Sequence, residues 1–197
     1  MLDYDRQDLR QGVHDAYSKV ATHPETAHPF PTGRDFAEQI SYPSEVLDTI
    51  PVTAVQSFAG VSNVSVFADI PDGATILDLG CGTGLDSHIT AHKLSGRGQV
   101  IGVDFSMAML NQAQAAAYES NTTILTFIQA SGEQLPLADS VIDIVLINGI
   151  FNLNPARDMI FRELARVVRP GGAVFAAEII LSAALDDAER SKANWFS

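Results

Sequence analysis

From about residue 74 onward, short apolar runs alternate with longer stretches whose apolar positions recur at helical spacing. The runs 75–79, 99–103, 124–129, 142–147 and 173–180 are rich in Val, Ile and Leu, which suits strands buried on both faces. The stretches 85–94, 107–118, 157–168 and 185–193 predict helices. Strand–helix alternation of this kind specifies an α/β fold, a parallel sheet flanked by helices. Arg169, Pro170, Gly171 and Gly172 end the third of these helices with a stop and turn signal. Residues 1–70 do not follow the pattern. They carry Pro24, Pro29, Pro31, Pro43 and Pro51 among scattered aromatics, and predict short helices joined by proline-bearing turns.

The first strand runs into the densest glycine cluster of the chain. Residues 76–84 read Ile-Leu-Asp-Leu-Gly-Cys-Gly-Thr-Gly, and Val103-Asp104 ends the next apolar run about 20 residues later. Glycine has no side chain to hold a ligand off, so such a turn brings bare backbone close to it. An acid at the end of the following strand can accept both hydroxyls of a ribose. Gly80, Gly82 and Gly84 give G-x-G-x-G, whereas the dinucleotide fingerprint G-x-G-x-x-G needs glycine where Leu85 stands.

Asp78, Leu79, Gly80, Cys81, Gly82, Thr83 and Gly84 resemble motif I of the class I S-adenosylmethionine (SAM)-dependent methyltransferases. Gly102, Val103, Asp104, Phe105 and Ser106, followed by Met107 and Met109, resemble the second motif of that family. The resemblance implies a Rossmann-like doubly wound sheet of the class I methyltransferase type over residues 71–197. Residues 1–70 would then form a helical extension, a lid over the cofactor that also shapes the acceptor pocket. SAM is the cofactor it implies. Gly80, Cys81, Gly82 and Gly84 would lie along the amino-acid moiety, Asp78 would meet its ammonium, and Asp104 would hold the ribose. Phe105 and Met107 would flank the adenine, while Met109 and Leu110 read as core. Ser131 and Gly132, in the Ala-Ser-Gly-Glu-Gln-Leu-Pro stretch after the third strand, would meet the adenine amino group, although many relatives carry Asp in place of Ser131.

The fourth strand ends at Asn148, the position that borders the transferred methyl in this family. Asn148 is the leading candidate for orienting the acceptor and contacting the cofactor, with Tyr17 as the second catalytic candidate. His14, His28 and Asn152 are the remaining polar residues near that end. His88 and His92, i and i+4 on one helix, read as a surface pair rather than a metal site. The run Asn152-Leu153-Asn154-Pro155 resembles the arsenite methyltransferase-like branch. That branch binds arsenic through cysteines, one of them where this chain has Gly149, and Cys81 is the only cysteine here. Arsenite methylation by that route is not expected.

Only about 17 residues follow the fifth run. The family's sheet normally continues with a helix and an antiparallel hairpin, so the C-terminal sheet edge is expected to be incomplete. Either the chain is a shortened product, or the edge pairs with a second copy in a homodimer.

Bulk properties narrow the partners. The net charge of −12 repels nucleic-acid phosphates and anionic lipid, which points to a small-molecule acceptor and away from nucleic acid and membrane. No run approaches the roughly 18 apolar residues of a membrane span. The acidic N-terminus lacks a signal peptide's order, and with a single cysteine this favours the cytoplasm. The expected function is methyl transfer from SAM to a small molecule. A non-catalytic SAM-binding or assembly protein stays open as an alternative, as does an NAD-type oxidoreductase, against which Leu85 stands.

Overall fold

The computed structural model describes residues 6–180. Five parallel strands, β1 (Thr75–Leu79), β2 (Gln99–Asp104), β3 (Leu125–Gln129), β4 (Ile142–Asn148) and β5 (Val168–Ala177), form one sheet in the order β3-β2-β1-β4-β5. The α/β, doubly wound expectation is borne out. Strand alternation sorts the core into two faces. Leu77, Leu79, Val103, Val145 and Ile147 point to one side, where Ile160, Leu164 and Val167 of α8 (Arg157–Val167) cover them. Ile76, Val100, Ile144 and Leu146 point to the other side, against Ala91 and Leu94 of α6 (Leu85–Leu94) and Val64 of α5 (Val64–Phe67). Each of the larger side chains, once removed from water, contributes about 1.5–3 kcal/mol. Helix α7 (Met107–Glu119) lies beside α6, its Ala116 sharing a cluster with Leu85 and Ile89.

The N-terminal segment is helical, but its first helix is not short. α1 (Arg6–Thr22) runs 17 residues, because the first proline stands only at Pro24. Beyond it, α2 (Gly33–Gln39), α3 (Ser44–Leu47) and α4 (Val52–Val55) are as short as the proline spacing suggests. These helices build a third cluster, in which Tyr42, Leu47, Ile50, Val55 and Phe58 meet Leu85 and Ile89 of α6.

β5 begins at Val168 rather than residue 173. Val168 pairs with Ile142 and Ala173 with Ile144, so residues 169–172 form a bulge inside the strand, with Gly171 at φ 85°. The turn signal of Arg169, Pro170, Gly171 and Gly172 is real, but it interrupts a strand instead of preceding one. Among the described residues β3 and β5 are the sheet edges. The expected helix over 185–193 and the question of how the sheet is completed beyond β5 lie outside the described residues.

Candidate functional site

The sheet order places the crevice. The chain leaves β1 toward β2 and β3 on one side, then returns to β4 on the other, so the carboxyl ends of β1 and β4 mark a topological switch point. A cavity of about 400 Å³ opens there. The glycine turn after β1 forms one wall through Gly80 and Gly82, at φ 76° and 53°. Gly84, at φ 88°, is a correction to the expected cofactor contacts: it lies outside the lining, and a Cβ there would face Phe127 and Ala113 instead. A side chain at Gly80 would overlap Cγ2 of Ile150, whereas a Cβ on Gly82 would meet nothing nearer than Met109 Sδ at 4.0 Å. Space above Gly82 is therefore free for a ligand.

Two carboxylates stand beside this turn. Asp78 is 3% exposed, and its Oδ2 accepts from the Ser87 hydroxyl at 2.5 Å. Burial first, and the neighbouring Asp86 carboxylate second, push its pKa up to about 8. Asp104 is 8% exposed; its Oδ2 accepts from Gly82 N at 2.9 Å and its Oδ1 from Ser106 N at 2.8 Å. Burial raises its pKa, against the opposing pull of those N–H groups. A carboxylate has about four acceptor positions, so roughly two on Asp104 remain for a ligand.

The other expected residues are placed as follows. Phe105 is exposed at the cavity rim, its ring 5.8 Å from that of His14. Ser131 and Gly132 line the cavity, the Ser131 hydroxyl accepting from Glu133 N at 3.4 Å. Cys81 is buried in the turn, and burial together with Asp78 and Asp104 holds its thiol well above the usual range, so it stays protonated. Met107 is a correction. It is 46% exposed and outside the cavity lining; Met109, two residues on and about 200° around the helix, is buried and lines it instead. The His88–His92 surface pair is a second correction. His88 is fully buried because α6 is sandwiched between the sheet and the N-terminal helices, and its Nδ1 donates to Gly84 O at 2.8 Å.

Tyr17 reaches the cavity from α1, stacked on Phe30 at 5.1 Å. Burial, then the Asp104 and Glu178 carboxylates, push its phenol up to about 12, so it is a hydrogen-bond donor and not a base at neutral pH. Asn148 also borders the cavity, yet its amide is already engaged. Its Oδ1 accepts from Val61 N at 2.7 Å and Ser62 N at 3.1 Å, and its Nδ2 donates to Ser62 O at 2.7 Å and Asp86 Oδ2 at 2.8 Å. Asn152 and His28 are outside the lining; Asn152 Nδ2 donates to Ile179 O and His28 Nε2 contacts His23 O at 3.0 Å.

Several residues of the site take part in ways that their place in the sequence does not signal. Thr83 ties the glycine turn to α4 through Ala54 O at 2.8 Å. Arg10 of α1 pairs across the cavity mouth with Glu133, whose Oε1 also accepts from Asn154 Nδ2 at 2.8 Å. Glu178 accepts from Phe151 N at 2.6 Å and so shapes the loop after β4. Asp86 was legible only as an acid in the first turn of a helix with hardly any exposed face.

Residues 70–196 match a family described as methyltransferase domain. An arsenite methyltransferase of Halobacterium salinarum is 33% identical over 128 residues, 65% of this chain and 33% of that protein. A demethylmenaquinone methyltransferase of Bacillus licheniformis is 38% identical over 111 residues, 56% of this chain and 47% of its own. The solved structure of an arsenic(III) S-adenosylmethionine methyltransferase from Chlamydomonas reinhardtii matches with a TM-score of 0.60 at 30% identity, over 83% of this chain and 54% of that one. The chain thus spans between a third and a half of the length of these two curated relatives.

Proposed function

We propose, from the premise that this chain belongs to the class I SAM-dependent methyltransferase family, that its cavity binds SAM and directs the methyl group to a small-molecule acceptor. The observation that carries the reading is the pair of buried carboxylates, Asp78 and Asp104, on either side of a glycine turn with open space above Gly82. A cationic ligand with a vicinal diol is what such a pair is short of. The residues therefore fit the cofactor.

When bound, SAM supplies a methyl group already activated by a sulfonium. The chain's part is then to place the acceptor, and proximity and orientation supply much of the acceleration. Asp104 accepts the ribose hydroxyls on its remaining lone pairs, while Gly82 N–H and Ser106 N–H hold it in line. Asp78 meets the ammonium, oriented by Ser87. Ser131, Gly132 and Phe105 border the adenine. Tyr17 is a neutral donor toward the acceptor, since its raised pKa keeps the proton on. Asn148 contributes by shaping the wall, because its hydrogen bonds are spent within the protein.

The N-terminal helices act as the lid. Helix α1 is held over the site by the Arg10–Glu133 pair, the Ser18–Ser106 hydroxyl contact at 3.1 Å and Gln112 Nε2 to Ala21 O at 3.2 Å, and it is tied to the segment after α4 by Ser57 Oγ to Val20 O at 3.1 Å. A space of about 400 Å³ under that lid is in the range of small-ligand sites. Relatives include an arsenite and a demethylmenaquinone methyltransferase; Cys81, buried and protonated, offers no thiolate ligand for arsenite in this cavity.

Calorimetric titration with S-adenosylhomocysteine, and with NADH for comparison, tests the reading. Micromolar binding of the first alone supports it and opens a screen of acceptors with methyl-labelled SAM. NADH binding alone would overturn it. Tight cofactor binding with no turnover across the screen would turn the reading toward a non-catalytic SAM-binding protein.

A further inference from the structure

Set into the cavity wall, where Asp86 and Asn148 both line it, lies a buried polar cluster that the proposed methyl transfer does not use directly. Asp86, 6% exposed, accepts from the Tyr42 hydroxyl at 2.7 Å, from Asn148 Nδ2 at 2.8 Å and from the fully buried Ser65 hydroxyl. Three donors, from the turn after α2, from α5 and from the end of β4, converge on one carboxylate. Because an ionised carboxylate only accepts, the Asn148 amide must turn its NH2 toward Asp86 and its oxygen the other way. That oxygen takes the N–H groups of both Val61 and Ser62. Steric fit agrees with the polar one. A Cβ on Gly60 would stand 2.5 Å from Asn148 Nδ2, and one on Gly149 would stand 2.9 Å from Val61 Cγ1. Residues 57–60, just before the clamp, line the cavity.

We infer that Asp86 is a positioning residue: through Asn148 it seats the segment 57–62 against the end of β4 and so gives the cofactor cavity its wall. The inference rests on the reading of that cavity as a cofactor site, but the clamp itself has a readout that needs no ligand. Asp86 sits two residues after Gly84, so the same short stretch that forms the glycine turn also locks the N-terminal segment onto it. Cofactor site and lid are thereby joined through one carboxylate.

Exchanging the two partners tests this in the full chain. Asp86→Asn alone leaves one amide NH2 facing donors, either that of Asn148 or those of Tyr42 and Ser65, and Asn148→Asp alone sets two carboxylates together. The double variant Asp86→Asn/Asn148→Asp restores a donor facing an acceptor, and its new carboxylate still accepts from Val61 and Ser62. Hydrogen exchange at Val61 and Ser62 in the ligand-free protein, and affinity for S-adenosylhomocysteine, are the two measurements. Each single variant is expected to speed exchange at both amides and weaken binding about tenfold or more, the scale of one hydrogen bond to a charged group. The double variant is expected to recover part of both, since the bond from Asn148 Nδ2 to Ser62 O is not restored. A general packing role would leave the double variant no better than the worse single one, and that result overturns the inference, as do single variants with unchanged exchange and affinity. Should the single variants not fold, Tyr42→Phe keeps the ring against Phe58 at 5.0 Å and removes one donor. Faster exchange at Val61 and Ser62 then supports the clamp, and unchanged exchange overturns it. A wild-type chain that does not bind S-adenosylhomocysteine would strike the cofactor reading instead, and exchange alone would decide the clamp.

Discussion

Lowering the pH should weaken cofactor binding in a way that reports on Asp78. In the ligand-free protein its pKa stands near 8, because burial and the Asp86 carboxylate both oppose ionisation. A bound ammonium reverses that preference, so the ligand-bound pKa must be lower. Binding between the two values then releases a proton. At about pH 7 a group with this pKa is roughly nine-tenths protonated, and close to one proton should leave per ligand bound. Affinity for S-adenosylhomocysteine should fall by up to about tenfold per pH unit below 8, each unit being about 1.4 kcal/mol, and should level off above it. Calorimetry in phosphate and in Tris, whose ionisation heats differ, reads the proton directly. Methylthioadenosine, which lacks the ammonium, should release far less. Asp78→Asn should flatten the pH profile. Equal binding enthalpies in the two buffers, with affinity unchanged across the range, would refute the assignment of Asp78 to the ammonium.

The same group bears on stability with the opposite benefit. Its folded pKa is raised, so its favourable contribution is complete below the ordinary carboxylate range and is lost as pH rises through about 8; the ligand-free melting temperature should decline over that interval, and Asp78→Asn should remove that part of the decline. Asp104→Ala should weaken S-adenosylhomocysteine binding by at least about 1.5–3 kcal/mol, since Gly82 N–H and Ser106 N–H lose their acceptor together with the ribose; an unchanged dissociation constant would remove the ribose role. Gly80→Ala combines a left-handed backbone, about 1–2 kcal/mol, with overlap of Ile150, and should lower both melting temperature and binding. Gly82→Ala meets no such overlap, so it should cost less stability while still impairing cofactor binding, a contrast that thermal melts and calorimetry can check side by side.

The central strands were readable because a parallel strand covered on both faces is a nearly uninterrupted apolar run. β1 matches its expected bounds, and β2 and β4 each extend one residue further, to Asp104 and Asn148. The glycine turn and Asp104 were readable because spacing along one βαβ unit is local. What escaped was long-range. Tyr42, Ser65 and Asn148 meet Asp86 across 44, 21 and 62 residues of sequence, and no periodicity connects them. His88 looked like a surface residue because a polar side chain usually marks an exposed face, yet α6 has almost none. Met107 and Met109 could not be told apart by composition; helix phase decides between them. β5 was misjudged at its start because Pro170 and two glycines can end an element or bulge it, and only pairing with Ile142 and Ile144 distinguishes the cases.

The Tyr42–Asp86–Asn148 clamp also makes the N-terminal segment portable. Much of the cavity's roof comes from residues before 68, whereas the carboxylates and glycines beneath it come from one compact stretch after 75. A roof from a related chain grafted onto this sheet would keep its seat if it brought a phenol in place of Tyr42 and two adjacent backbone N–H groups in place of those of Val61 and Ser62. Acceptor choice could then be exchanged as a module, with the carboxylate of Asp86 serving as its socket.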